Sequence, residues 1–209
     1  MRRILHWTGV LTTLMILLAT SVIAWSSDLT VLAIIPTSGT YVGEFTPIVE
    51  ALEDRGATVV VTAAVLSDAR VYTFEDESYV WDTTTVDIAF SDVVVEEYDA
   101  IFIPGGNGVL AVGFDEEAKR IVREAVALGL PIAAICGGVD VMVQHGIAKG
   151  RQVCSEQTDP WFVHQGLARK APTRVWVSEG ERWKSTLVTA AGPEDVPVFI
   201  REFLKVLGL

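Results

Sequence analysis

Cysteine and histidine are scarce in this chain. Two cysteines, Cys136 and Cys154, are too few for a disulfide scaffold. The three histidines, His6, His145 and His164, lie far from one another and from any Cys-x-x-Cys pair, which excludes the spacing of a structural zinc site. Positive charge is short as well. With 16 Lys and Arg against 27 Asp and Glu, the net charge of −11 has the wrong sign for a protein that lives on phosphate backbones, so nucleic acid is excluded as a partner. Internal repeats and low-complexity linkers are missing too. What remains, 209 residues of which 50% are hydrophobic and 21% charged, reads as one globular domain with a sizeable core. No motif asks for a metal or a cofactor.

Only the first 25 residues carry a long hydrophobic run. Arg2 and Arg3 precede Val10 to Ile23, broken only by Thr12, Thr13, Thr20 and Ser21, which is the layout of a secretory leader. Val22-Ile23-Ala24 suits cleavage after Ala24. The rival is an uncleaved anchor, because Ile4 to Trp25 is just long enough to span a bilayer. Cleavage is favoured, since an anchor would leave only Ser26, Ser27 and Asp28 before the first core strand. Residues 1–24 are therefore expected to be a signal peptide or membrane anchor, and residues 28–209 the folded domain. On either reading the domain works outside the cytoplasm and touches a membrane only through its N-terminal segment.

From Leu29 the chain alternates between strand-like and helix-like segments. Leu29–Pro36 is a continuous β-branched run, and Phe45, Ile48, Val49 and Leu52 form a helical stripe halted by Gly56. Strands follow at 57–62 and 99–104. Asp115 is placed to cap a helix with the stripe Ala118, Ile121, Val122 and Ala125, ended by Gly129 and Pro131. Another strand spans 131–135, then a helix 139–144, strands near 152–155, 174–177 and 187–190, and a last helix striped by Val196, Phe199, Ile200, Phe203 and Leu207. In residues 65–98 the alternation Val86, Ile88, Phe90 predicts a short strand pair or edge hairpin. Such βα alternation implies a doubly wound, mostly parallel sheet with helices on both faces, a flavodoxin-like three-layer sandwich. Ligands bind such sheets at the carboxyl ends of the strands.

Two strand ends stand out. In Ala134-Ile135-Cys136-Gly137-Gly138 a buried strand must turn abruptly into a helix, which pushes Cys136 outward at a helix N-terminus. There the helix dipole and free N–H groups favour a thiolate, so the sequence predicts a lowered thiol pKa; a buried core thiol is the bland alternative. The second is Pro104-Gly105-Gly106. Amides of Gly106 and Gly137 would form a donor pair for an oxyanion on a carbonyl attacked by Cys136.

Together these segments resemble the ThiJ/PfpI family of class I glutamine-amidotransferase-like domains. The resemblance is carried by Tyr98-Asp-Ala-Ile-Phe-Ile-Pro-Gly-Gly-Asn107, the elbow Ala133-Ala-Ile-Cys-Gly-Gly138 and the closing Leu187-Val-Thr-Ala-Ala-Gly-Pro193, and spans about Leu29 to Leu207. It implies that Cys136 is the nucleophile or oxidation-sensitive thiol and that Glu44, in the first helix, hydrogen-bonds it. It also implies small reactive aldehydes, glycated amines or peptide amides as substrates, and a homodimer. The chain departs from the family where many members place a histidine: those positions hold Gly137 and Glu156. Without that Cys-His pattern, glyoxalase or deglycase chemistry is favoured over proteolysis; a non-catalytic redox sensor, chaperone or ligand-binding module on the same scaffold is the rival. Glu156 and His164 are possible auxiliaries, His145 reads as a helix C-terminal cation, and Cys154 as a core residue with a disulfide to Cys136 as the alternative. Trp161, Phe162, Trp176 and Trp183 are candidates for a pocket wall or lid.

Overall fold

A computed structural model of the chain describes residues 29–154, 168–179 and 184–209. The leader expected at 1–24 lies outside them. Among the described residues no helix is long and apolar enough to cross a membrane.

In chain order the elements are β1 (Thr30–Ile34), β2 (Ser38–Tyr41), α1 (Val42–Glu53), β3 (Thr58–Ala63), β4 (Ala69–Glu75), β5 (Ser78–Thr84), β6 (Ile88–Ala89), β7 (Ala100–Ile103), α2 (Leu110–Phe114), α3 (Glu116–Leu128), β8 (Ile132–Ile135), α4 (Gly137–Gln144), β9 (Gln152–Val153), β10 (Arg169–Lys170), β11 (Val175–Ser178), β12 (Leu187–Ala190) and α5 (Val196–Leu207). The central sheet has the order β11-β12-β8-β7-β1-β3-β6, parallel throughout except for edge strand β11. Alternate residues of each strand serve different layers. Val31, Ala33 and Ile35 pack with Phe45, Ile48 and Leu52 of α1 and Phe199 and Phe203 of α5. Leu32 and Ile34 pack on the opposite face with Ile121 and Val122 of α3 and Val139 and Met142 of α4. The expected doubly wound, flavodoxin-like sandwich is thus observed.

Local signals explain the elements. Asp115 accepts from the amides of Glu117 and Ala118, both at 2.9 Å, and α3 stops at Gly129 in the left-handed region. All four predicted stripe residues of α3 are fully buried. The region 65–98 differs from expectation. Ile88 belongs to the short edge strand β6, while the hairpin is β4–β5, twelve residues earlier in its centre, and joins β2 in a separate three-stranded sheet. Strands β9 and β10 also stand apart as a two-stranded pair, so the strand expected near 152–155 does not enter the central sheet.

Candidate active site

The carboxyl ends of three adjacent strands, β8, β7 and β1, converge on one place. β8 ends at Ile135 and α4 begins at Gly137, so Cys136 alone makes the turn, with φ 54° and ψ −127°. A residue with a side chain rarely adopts this conformation, and it persists because the surroundings hold it. The Cys136 N–H donates to the Ala190 carbonyl at 3.0 Å, and its carbonyl accepts from Val139 N–H at 3.0 Å. The flanking glycine is required by close packing: a Cβ on Gly138 would lie 2.3 Å from the Ile103 carbonyl oxygen.

Glu44 arrives from the first turn of α1 and is 1% exposed. Its Oε2 accepts from Gly105 N–H at 3.1 Å, and its carboxyl shares a hydrogen bond with the Cys136 thiol. Gly105 sits between the two. A Cβ there would approach Glu44 Oε2 to 2.4 Å and Cys136 Cβ to 2.7 Å, so only glycine lets the carboxyl and the thiol meet across this loop.

Burial pushes Glu44 up to about 7, against the hydrogen bonds from Cys136 and Gly105. Burial, followed by the neighbouring Glu44 charge, pushes the Cys136 thiol up to about 12. The lowered thiol pKa expected from the helix N-terminus is therefore corrected. The Gly137 N–H does hydrogen-bond the sulfur and favours its ionisation, but desolvation and a carboxylate at contact distance outweigh it. The pair releases its protons in sequence, so around neutral pH it holds one proton or two.

Cys136, Glu44 and Gly106 line one open cavity of about 440 Å³. Its remaining lining is Tyr41, Tyr72, Phe74, Tyr79, Asn107 and Pro193. The predicted Cys136, Glu44 and Gly106 are brought together, and Gly137 is adjacent with its amide on the sulfur. Glu156 and His164 lie outside the described residues, as do Trp161, Phe162 and Trp183. Trp176 is not a wall of this cavity. It sits on β11, packed against Cys154, Ala171 and Ala191. Cys154 is a buried free thiol whose Sγ lies 3.0 Å from the Thr173 carbonyl, and Cys136 is free as well, so no disulfide joins them. His145 caps the end of α4 but is 1% exposed, with Nε2 3.2 Å from the Val112 carbonyl; burial lowers its pKa, so it is a neutral core residue and not a surface cation. Among the described residues no three His, Cys, Asp or Glu side chains cluster to hold a metal ion.

The four aromatic residues of the cavity were not anticipated. The only sequence signal was their density, Tyr72 and Phe74 followed by Tyr79 and Trp81, within a stretch that lacked a recognisable turn.

A parallel α/β sheet with a strained cysteine at the strand-to-helix elbow and a buried acid beside it defines a class of cysteine-elbow α/β domains. The DJ-1/PfpI family model matches residues 30–206, and the chain belongs to that family. A deglycase of Thermococcus kodakarensis is 31% identical over 125 residues, covering 60% of this chain and 72% of the relative. Protein/nucleic acid deglycase 2 of Escherichia coli is 29% identical over 126 residues, covering 60% and 70%. YraA of Bacillus subtilis, named for cysteine protease activity, is 28% identical over 164 residues, covering 78% and 90%. Among solved structures, a ThiJ/PfpI domain protein from Brachyspira murdochii superposes with a TM-score of 0.73 at 22% identity, covering 86% of this chain and 96% of its own.

Proposed function

We propose that the chain is an enzyme that adds the Cys136 thiol to the carbonyl carbon of small reactive carbonyl compounds or glycated amines, with glyoxalase or deglycase chemistry ahead of peptide hydrolysis. The observation that carries this reading is the strained Cys136 in hydrogen-bond contact with a buried Glu44 at an open cavity. Deglycase names among the relatives support it.

The resting thiol is neutral, so the reacting form is Glu44 carboxylate beside Cys136 thiol. As a carbonyl carbon approaches Sγ, the S–C bond forms and the carbonyl π pair moves to oxygen. Glu44 takes the thiol proton and returns it to that oxygen, giving a neutral hemithioacetal with nothing oxidised or reduced. Gly106 N–H, joined by Gly137 N–H as it leaves the sulfur, would stabilise the developing oxyanion, a contribution of about 2.7–4 kcal/mol per donor in other enzymes. Because the base form of Glu44 appears above about 7, the rate of the addition step rises through that pH and falls below it.

Purified full-length protein and its Cys136→Ser variant, assayed against methylglyoxal and a glycated amine, test this. The variant is expected to lose turnover while keeping its fold by far-UV circular dichroism. Turnover that survives Cys136→Ser, or its absence from the wild type on both substrates, overturns the reading. We also place the reaction outside the cytoplasm, on the strength of Arg2, Arg3 and the apolar run to Ile23. Fractionation of cells expressing the full chain tests that placement, and recovery solely with cytosolic markers refutes it.

A further inference from the structure

Thiol addition uses only a carbonyl, yet the cavity extends well past Cys136. Its side wall is aromatic. Tyr41 and Tyr72 have ring centroids 5.5 Å apart, Tyr72 meets Tyr79 edge-on at 5.1 Å, and Phe74 meets Tyr79 edge-on at 5.3 Å. The rings thus form one interlocked surface, supplied mainly by the β4–β5 hairpin. The Asn107 backbone amide hydrogen-bonds the Tyr72 hydroxyl, which ties this surface to the glycine loop beside the nucleophile.

This wall is not being used as core. Phe74 is 54% exposed and Tyr79 52% exposed, leaving apolar ring surface in water that a core position would cover. Contiguous half-exposed rings bordering a reactive cavity are a ligand surface more readily than a packing accident. Charge narrows the ligand further. Among the described residues no Lys, Arg or His lines the cavity, and the one carboxyl group in it is that of Glu44. A phosphate or carboxylate seated among these described lining residues would meet no cation, since the hairpin's Arg70 lies over the Trp81 ring, 4.4 Å from its centroid, and the chain's net charge is −11.

We infer that the β4–β5 hairpin is a specificity wall, selecting uncharged carbonyl compounds that bear an aromatic ring, stacked on Phe74 and Tyr79 with the carbonyl carbon delivered to Cys136. This inference rests on the thiol-addition reading. With phenylglyoxal as the probe, the S–C bond forms at the aldehyde carbon, the π pair goes to its oxygen, the proton follows through Glu44, and the aryl ketone stays intact in that step.

The test compares kcat/KM for phenylglyoxal and methylglyoxal in the wild type, Phe74→Ala and Tyr79→Ala, after subtracting the Cys136→Ser rate to remove arginine modification. The wild type is expected to prefer phenylglyoxal at least tenfold. Each variant should lower that selectivity ratio by about tenfold, chiefly through KM, as loss of one stacked ring implies. No preference in the wild type, or a ratio unmoved in both variants, overturns the inference while leaving the thiol chemistry standing. Acetophenone binding to Cys136→Ser, read by calorimetry, needs no turnover. Saturable binding weakened at least fivefold by adding Phe74→Ala supports the wall even if neither aldehyde is consumed, and no binding counts against it.

Discussion

Glu44 holds a proton in the folded chain that an exposed glutamate sheds. Between its ordinary value of 4.5 and about 7, the folded state binds this proton and the unfolded state releases it, so stability falls as pH rises through that window. Glu44→Gln imitates the protonated acid and should remove the fall: the loss of unfolding free energy between pH 5 and 8, measured by urea titration, shrinks by about 1–3 kcal/mol. The same change takes a negative charge away from the sulfur. The pH midpoint for iodoacetamide labelling of Cys136 should then move down by about one unit or more, while turnover is lost. An unmoved midpoint would mean that the Glu44 charge does not hold the thiol neutral. The identities of both residues were legible in the sequence, Cys136 from its elbow and Glu44 from the family resemblance. Their protonation was not. The reading of a helix N-terminus sees the dipole and the amides, and the resemblance puts beside the thiol a carboxylate that opposes its ionisation, but the burial that decides between them is a tertiary fact.

The elbow works only because α4 presses directly on β7 at Gly138. Gly138→Ala would drive a methyl group into the Ile103 carbonyl, a backbone atom that cannot swing aside. The expected cost is about 1–3 kcal/mol in thermal or urea unfolding, with turnover reduced as Cys136 shifts; unchanged stability would show that α4 can slide. Helices such as α3 were readable because cap, stripe and terminating glycine coincide in one segment. The β4–β5 hairpin was not, for two reasons. Its turn residues Asp76 and Glu77 both take positive φ without a glycine or asparagine to announce it. And Ser78 to Thr83 of β5 are exposed along their whole length, so no alternation of apolar and polar residues marks a buried face.

Across the whole molecule the two core layers share the strands between them, since neighbours such as Val31 and Leu32 belong to opposite layers. Damage on one face should therefore unfold both. Phe199→Ala, which empties a fully buried site beneath Phe102, is expected to cost about 3–5 kcal/mol, with far-UV circular dichroism and tryptophan fluorescence reporting a single coincident transition. Separate transitions would show that the layers are independent. The hairpin starts in this shared core, where Ala69 packs in the same layer as Val31 and Phe199, and reaches out of it. Its two ends, Ala69 and Thr84, are paired directly across from each other, so what lies between them is a loop on a closed base. Because Arg70, Val71 and Tyr72 pair with β2 and the Asn107 amide holds the Tyr72 hydroxyl, the part that can be exchanged for a segment of different length or composition without moving the elbow is the tip between Thr73 and Val80. If the hairpin is the specificity wall proposed above, exchanging that tip changes what the cavity accepts and leaves the residues around Cys136 as they are.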